Sequence, residues 1–203
     1  MYIVIEGQDG TGKSTEARLL AKYLEENGKQ AIILDEPDGD IESSHDIHDL
    51  LLVRGKNYNM HPLTNVALFT ASRIELWNKI IEPSLKAGKY VISARNYWST
   101  IAYQGYGEGV SVEKIIDITK TMLPERYFNP DKSVILTVPD EIRLSRQSVR
   151  GKDLETFEEK DNSFQNRVNS AYPKIAKQFN IPILDASESM EKVQNSLIKL
   201  FGL

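Results

Sequence analysis

One octapeptide, Gly7-Gln8-Asp9-Gly10-Thr11-Gly12-Lys13-Ser14, constrains this chain more than any other feature. It fits the pattern G-x-x-x-x-G-K-[ST], follows an apolar run at residues 2–5, and opens an amphipathic pattern carried by Leu19, Leu20, Tyr23 and Leu24. Glycines at this spacing let backbone N–H groups turn inward around phosphate oxygens. The lysine reaches the β and γ phosphates, the serine hydroxyl ligates Mg²⁺, and the helix N-terminus adds positive potential. Strand, loop and helix in that order predict a nucleoside triphosphate site built from Gly7, Gln8, Asp9, Gly10, Thr11, Gly12, Lys13, Ser14 and Thr15.

The rest of the chain supplies the scaffold such a loop needs. Short runs rich in Ile, Val and Leu at 2–5, 31–34, 90–93, 133–138 and 181–184 lack period-2 alternation, as strands covered on both faces do. Helical patterns separate them, ending at Asn27-Gly28 for the first and spanning 65–86, 140–150 and 190–201 for the others. Alternation of this kind predicts right-handed crossovers and a parallel sheet, with ligands at the carboxyl ends of the strands. At 203 residues, one domain or one with a small appendage is expected.

Composition narrows the classes. Lys+Arg number 25 and Asp+Glu 29, a net charge of -4 that disfavours nucleic acid as the main partner. There is no cysteine, which excludes disulfides, thiolate metal sites and cysteine nucleophiles. No apolar run approaches the roughly 18 residues of a membrane span, and the N-terminus lacks a signal-peptide pattern. A cytoplasmic protein without membrane contact is expected. The three histidines lack zinc-ligand spacing beyond His45 and His48, so surface positions are expected for them.

A phosphate loop alone leaves kinases, motors, switches and transporter ATPases open. Further segments discriminate among these: Glu36-Pro37-Asp38-Gly39; Leu68-Phe69-Thr70-Ala71-Ser72-Arg73; Arg95 followed by Ser99, Ala102, Tyr103 and Gln104; and Ile183-Leu184-Asp185-Ala186-Ser187. In this order, and with the opening strand and loop, they resemble the thymidylate (dTMP) kinase family of P-loop nucleoside monophosphate kinases, over nearly the whole chain.

The resemblance implies a three-layer α/β P-loop fold: a five-stranded parallel sheet, helices on both faces, and a helical lid at about 146–161. It implies transfer of a phosphoryl group from ATP to dTMP with Mg²⁺, in a homodimer formed through helices that include 65–86. Lys13 and the loop amides would hold ATP and Ser14 the metal. Arg95, at the carboxyl edge after its strand, suits bidentate grip on the acceptor monophosphate. Asp9, Pro37, Phe69, Arg73, Ser99, Thr100, Tyr103 and Gln104 would line the rest of the acceptor site, with Phe69 against the thymine and the Tyr103 ring excluding a 2′-hydroxyl. Arg143, Arg146 and Arg150 fall at i, i+3 and i+7 on one helix face. The loop carries no arginine, so Arg146 and Arg150 are the candidates for neutralising transferred charge. The plainer readings are a core position for Phe69 and a solvated basic face for these arginines, Arg143 above all.

Several positions depart from the family pattern. Ala94 stands where an aspartate that would orient Mg²⁺ is expected, and Asn96 where Tyr or His is usual. Asp35 replaces a basic residue, Asp38 a glycine, His48 falls near a phosphate-binding arginine, and Glu155-Thr156 stands roughly where the lid has Asp-Arg. Glu6, Asp9, Asp35 and Glu36 are all candidates for the missing carboxylate. A kinase for another (deoxy)nucleoside monophosphate, or a nucleotide switch without kinase activity, are the alternatives these departures leave.

Overall fold

A computed structural model describes residues 1–37, 42–53, 58–149, 157 and 160–203. β1 (Tyr2–Glu6) runs through the glycine-rich loop into α1 (Lys13–Glu26), and β2 (Ala31–Asp35) follows. α2 (Glu42–His48) continues as a π-helical turn, Asp49–Val53. α3 (Pro62–Leu76) passes through a π-helical segment, Trp77–Ile81, into α4 (Glu82–Lys86) and then β3 (Tyr90–Ala94). α5 (Tyr97–Thr100) extends as the π-helical segment Ile101–Gly107, followed by α6 (Val112–Met122), α7 (Glu125–Phe128) and β4 (Lys132–Thr137). α8 (Asp140–Val149), α9 (Asn162–Phe179), β5 (Ile183–Asp185) and α10 (Met190–Phe201) complete the order.

The strands form one sheet in the order β2-β3-β1-β4-β5, every neighbouring pair parallel. β1 is central and wholly buried. Tyr2 and Val4 enter one apolar cluster with Val66, Leu76, Ile101 and Val168, while Ile3 and Ile5 enter another with Ala17, Leu20, Leu197 and Phe201. Helices α3, α5 and α9 therefore cover one face and α1 and α10 the other, the three-layer α/β arrangement expected. A strand sandwiched this way gains from apolar side chains at every position, which is why its sequence shows no alternation.

The chain leaves β1 toward β2 on one side, and leaves β3 toward β4 on the other. That reversal opens a crevice at the carboxyl ends of the strands beside β1. Glu6, Asp35, Ala94 and Thr137 end their strands along this edge.

The helix expected at 65–86 is present but interrupted. It starts at Pro62, whose fixed φ and missing N–H suit a first helical turn, with the His61 side chain accepting from Leu63 N–H at 3.2 Å. Pro83 cannot donate to the carbonyl a turn earlier, and the ladder widens over Trp77–Ile81 before α4 restarts with that proline in its first turn. α9 carries Pro173 within it and buries Phe164, Val168, Ala171, Tyr172 and Ile175 along one stripe. Among the described residues, no helix is long and apolar enough to cross a membrane.

Candidate active site

The glycine-rich loop is shaped by backbone that side chains would block. Gly7 has φ 142 and a Cβ there would run into the Leu136 carbonyl of β4, so the loop lies directly against the neighbouring strand. Gly12, with φ 101, caps α1, and its carbonyl accepts from Thr15 N–H and Glu16 N–H, both at 3.0 Å. Lys13 folds back across the loop. Its Nζ donates to the Gln8 carbonyl at 3.0 Å and stands 3.7 Å from the Asp9 carboxylate. Only 5% exposed, its ammonium is pulled down to about 8 by burial and by Arg95, against the opposing pull of Asp9. Thr11 Oγ1 donates to the same Gln8 carbonyl at 2.8 Å. Ser14 Oγ donates to Asp35 Oδ2 at 2.8 Å.

Glu6 ties this loop to the segment after β3. Its carboxylate accepts from Gly7 N–H (3.1 Å), Asn96 N–H (2.7 Å), Ser99 N–H (3.1 Å) and Ser99 Oγ (2.8 Å). A carboxylate at the start of α5 is also favoured by the helix dipole. Asn96 completes the cap, its side chain accepting from Trp98 N–H at 2.9 Å.

Arg95 sits between β3 and α5 at φ 93, a conformation costing about 1–3 kcal/mol for a residue with a Cβ. Its N–H donates to the Ile5 carbonyl at 3.0 Å, extending the β1–β3 pairing by one residue. The guanidinium pairs with Asp9, donates to Ser99 Oγ at 3.3 Å, and lies 5.8 Å over the Tyr103 ring. Tyr103 Oη donates to the other Asp9 oxygen at 2.6 Å. Burial, with Asp9 adjacent, pushes that phenol well above its ordinary value, so it donates rather than ionises. Asp9 thus belongs to the phosphate loop and touches both Arg95 and Tyr103.

Arg73 is 2% exposed and organises the next layer. It donates to Glu36 Oε2 (2.9 Å), Thr100 Oγ1 (2.8 Å) and the Asn96 carbonyl (2.8 Å), and lies 5.6 Å over the Phe69 ring. Glu36 also accepts from Ser93 Oγ and Tyr127 Oη, each at 3.0 Å. Pro37 is drawn against α3 by Ser72 Oγ, which donates to its carbonyl at 2.7 Å. Gln104 is buried and donates to Glu108 at 3.3 Å. Of the acceptor candidates other than Asp9, Pro37 follows β2 and the other seven lie on α3 or on the segment from the end of β3 through α5 and its π-helical extension.

Arg146 on α8 donates to the Thr11 carbonyl at 3.4 Å and the Ala186 carbonyl at 3.0 Å, bridging the phosphate loop to the Asp185-Ala186-Ser187 turn. Beside it Glu16 is 4% exposed, and burial lifts its carboxyl to about 7 despite the arginine. Arg143 is not on a solvated face: it is 5% exposed, backs onto Gly10, and is held by Asp140 at 3.0 Å and Gln147 at 3.2 Å. Arg150, Asp38, Glu155, Thr156 and most of the segment 146–161 beyond α8 lie outside the described residues.

Phe157 is a residue the sequence reading missed. It is 5% exposed, with ring centroids 6.0 Å from Phe69, 6.2 Å from Tyr103 and 6.5 Å from Phe164. Its carbonyl accepts from Gln165 Nε2 at 2.8 Å, and Gln165 Oε1 accepts from Gln8 Nε2 at 3.0 Å. The available signal was its isolation, one aromatic amid the charged stretch 152–161.

A family model described as thymidylate kinase matches residues 5–197. A probable thymidylate kinase of Thermococcus onnurineus is 34% identical over 206 residues, covering 98% of this chain and 96% of that protein. A thymidylate kinase of Nitrosospira multiformis is 35% identical over 201 residues, covering 98% and 95%. Among solved structures, the crystal structure of thymidylate kinase from Ehrlichia chaffeensis superposes with a TM-score of 0.76 at 29% identity, covering 98% of this chain and 97% of that one.

Proposed function

The chain belongs to the thymidylate kinase family and transfers a phosphoryl group from ATP to dTMP, giving ADP and dTDP; we propose that the residues at its strand edge divide that work as follows. Lys13 and the amides of Gly7–Ser14, with Gln8, Thr11 and Thr15, hold the ATP phosphates. Arg95 grips the acceptor monophosphate through its planar fork, and Asp9 and Ser99 orient it. Phe69, Pro37, Arg73, Thr100 and Gln104 surround the base, and the Tyr103 ring packs on the deoxyribose. The observation that carries this reading is the junction at Asp9, where a phosphate-loop side chain meets Arg95 and Tyr103 from the acceptor segment. Donor and acceptor phosphates are thereby directed to one point.

Transfer between phosphates demands little covalent assistance, because the acceptor phosphate is already nucleophilic at neutral pH. Positioning and charge neutralisation dominate. Arg146 and Arg150, on a lid at about 146–161, neutralise charge developing on the transferred group, and closure of that lid excludes the water that would otherwise consume ATP. The paired oxygens of Ser14 and Asp35, 2.8 Å apart, have the hard-donor chemistry that suits Mg²⁺. Bound with ATP, the ion neutralises phosphate charge. The same reading has the enzyme acting in the cytoplasm as a homodimer through a surface that includes α3.

Coupled ADP release from Mg-ATP, measured against a panel of nucleoside monophosphates with a no-acceptor control, tests the function. Stimulation by dTMP above the other monophosphates is expected; ADP release indifferent to any acceptor would overturn it. Arg95→Ala should raise the dTMP KM and lower kcat together, and wild-type acceptor kinetics would remove Arg95 from the site.

A further inference from the structure

Among the described residues, Glu6, Asp9, Asp35 and Glu36 are carboxylates at the β1 and β2 ends or in the loop, and three of them are already engaged elsewhere. Glu6 receives four donors from the loop and α5. Asp9 pairs with Arg95 and accepts from Tyr103. Glu36 is buried against Arg73, Ser93 and Tyr127. Asp35 differs on both counts: it is exposed, and its partner is the hydroxyl of the phosphate-loop serine, Ser14, at 2.8 Å.

Its place in the sheet gives that contact meaning. Asp35 ends β2 and pairs in parallel register with Ala94, which ends β3. Phosphate-loop enzymes hold their metal between the loop Ser or Thr and a carboxylate at a strand end. The β3 strand ends here in a methyl group, and the residue beside it on the next strand ends in a carboxylate already bonded to the serine.

We propose that Asp35 is the metal-positioning residue of this enzyme, displaced one strand outward from β3 to β2. This assignment rests on the phosphoryl-transfer reading above. By accepting the Ser14 hydroxyl's hydrogen bond, Asp35 turns the serine lone pairs away from itself, toward a cation arriving with the nucleotide, and it adds a negative charge that such a cation neutralises. Without a cation the same charge repels a triphosphate, so Asp35 makes nucleotide binding more dependent on Mg²⁺ than the loop alone would.

The test is the affinity of a non-hydrolysable ATP analogue for wild type and Asp35→Asn, by calorimetry in saturating Mg²⁺ and in EDTA. Mn²⁺ binding to the protein–nucleotide complex is followed by electron paramagnetic resonance. Because Asp35 is exposed at a strand end, the variant should melt with wild type. Expected is a loss of about 10–100-fold in metal affinity of the complex, with metal-free nucleotide affinity equal to wild type or tighter. An unchanged Mn²⁺ titration overturns the assignment. Equal weakening in Mg²⁺ and in EDTA also overturns it, since Asp35 would then only shape the loop. If wild type itself binds the analogue with no dependence on metal, the metal role given to Ser14 fails and this inference falls with it, whereas the phosphoryl-transfer reading is judged separately by acceptor-dependent ADP release.

Discussion

Raising the pH should weaken ATP binding through a single side chain, Lys13. The ammonium is 5% exposed, with Arg95 nearby, and in the free protein it titrates at about 8. At pH 7 about nine-tenths of the molecules carry the charge, and at pH 9 about one-tenth. Triphosphate oxygens around Nζ favour the charged form, so the bound lysine stays protonated across that window and binding at pH 9 takes up about 0.9 proton. Apparent affinity should therefore fall about tenfold between pH 7 and pH 9, about 1.4 kcal/mol. Calorimetry in two buffers of different ionisation enthalpy reads the proton directly, and Lys13→Arg, whose guanidinium stays charged, serves as the flat reference. A wild-type pH slope no steeper than that of Lys13→Arg would refute the account. The sign for folding is the reverse: with its native value depressed below 10.5, Lys13 binds fewer protons folded than unfolded, so the free protein gains stability as pH rises from about 8.

Glu16, lifted to about 7 by burial, binds more protons folded than unfolded between its usual 4.5 and that value. Wild type should therefore lose stability relative to Glu16→Gln as pH rises from about 5 to 7, and parallel denaturation midpoints in the two proteins across that range would disprove it. Arg73→Ala leaves the Glu36 carboxylate buried without its cation, at an expected cost of about 3–5 kcal/mol in urea unfolding; a cost under about 1 kcal/mol would show that the pair contributes little. Phe157→Ala should raise the dTMP KM about tenfold or more while leaving ATP-analogue affinity without acceptor unchanged. The opposite pattern would move Phe157 away from the acceptor side.

Local chemistry made some of this readable from sequence, and long-range pairing hid the rest. Gly7 and Gly12 announce themselves because glycine suits backbone at φ 142 and 101, and at Gly7 a Cβ would also strike the neighbouring strand. The apolar runs of β1 and β3 were legible because both faces of a central strand are buried. Arg95 was found by its place after β3, but nothing in the sequence marks its φ of 93, which depends on pairing with Ile5 ninety residues earlier. Asp35 could not be separated from Glu6, Asp9 and Glu36 until strand order set β2 beside β3, because register between strands far apart in the chain leaves no local trace. Arg143 invited a solvated reading from its helical spacing, and only the approach of α8 to Gly10 buries it. α9 bears a proline at 173, a residue that argues against a helix there.

Glu6 has a bearing on ligand design. Gly7 at the mouth of the phosphate loop and Asn96 and Ser99 at the head of the acceptor segment all hang from this one carboxylate. The two nucleotide sites therefore keep a fixed spacing, as marks on a ruler do. A single molecule carrying adenosine at one end and thymidine at the other, joined through a phosphate chain, would present its second end at an effective concentration of about millimolar once the first had docked. Its affinity should peak sharply at one chain length, since a rigid spacing rewards a matched linker and penalises each phosphate added or removed.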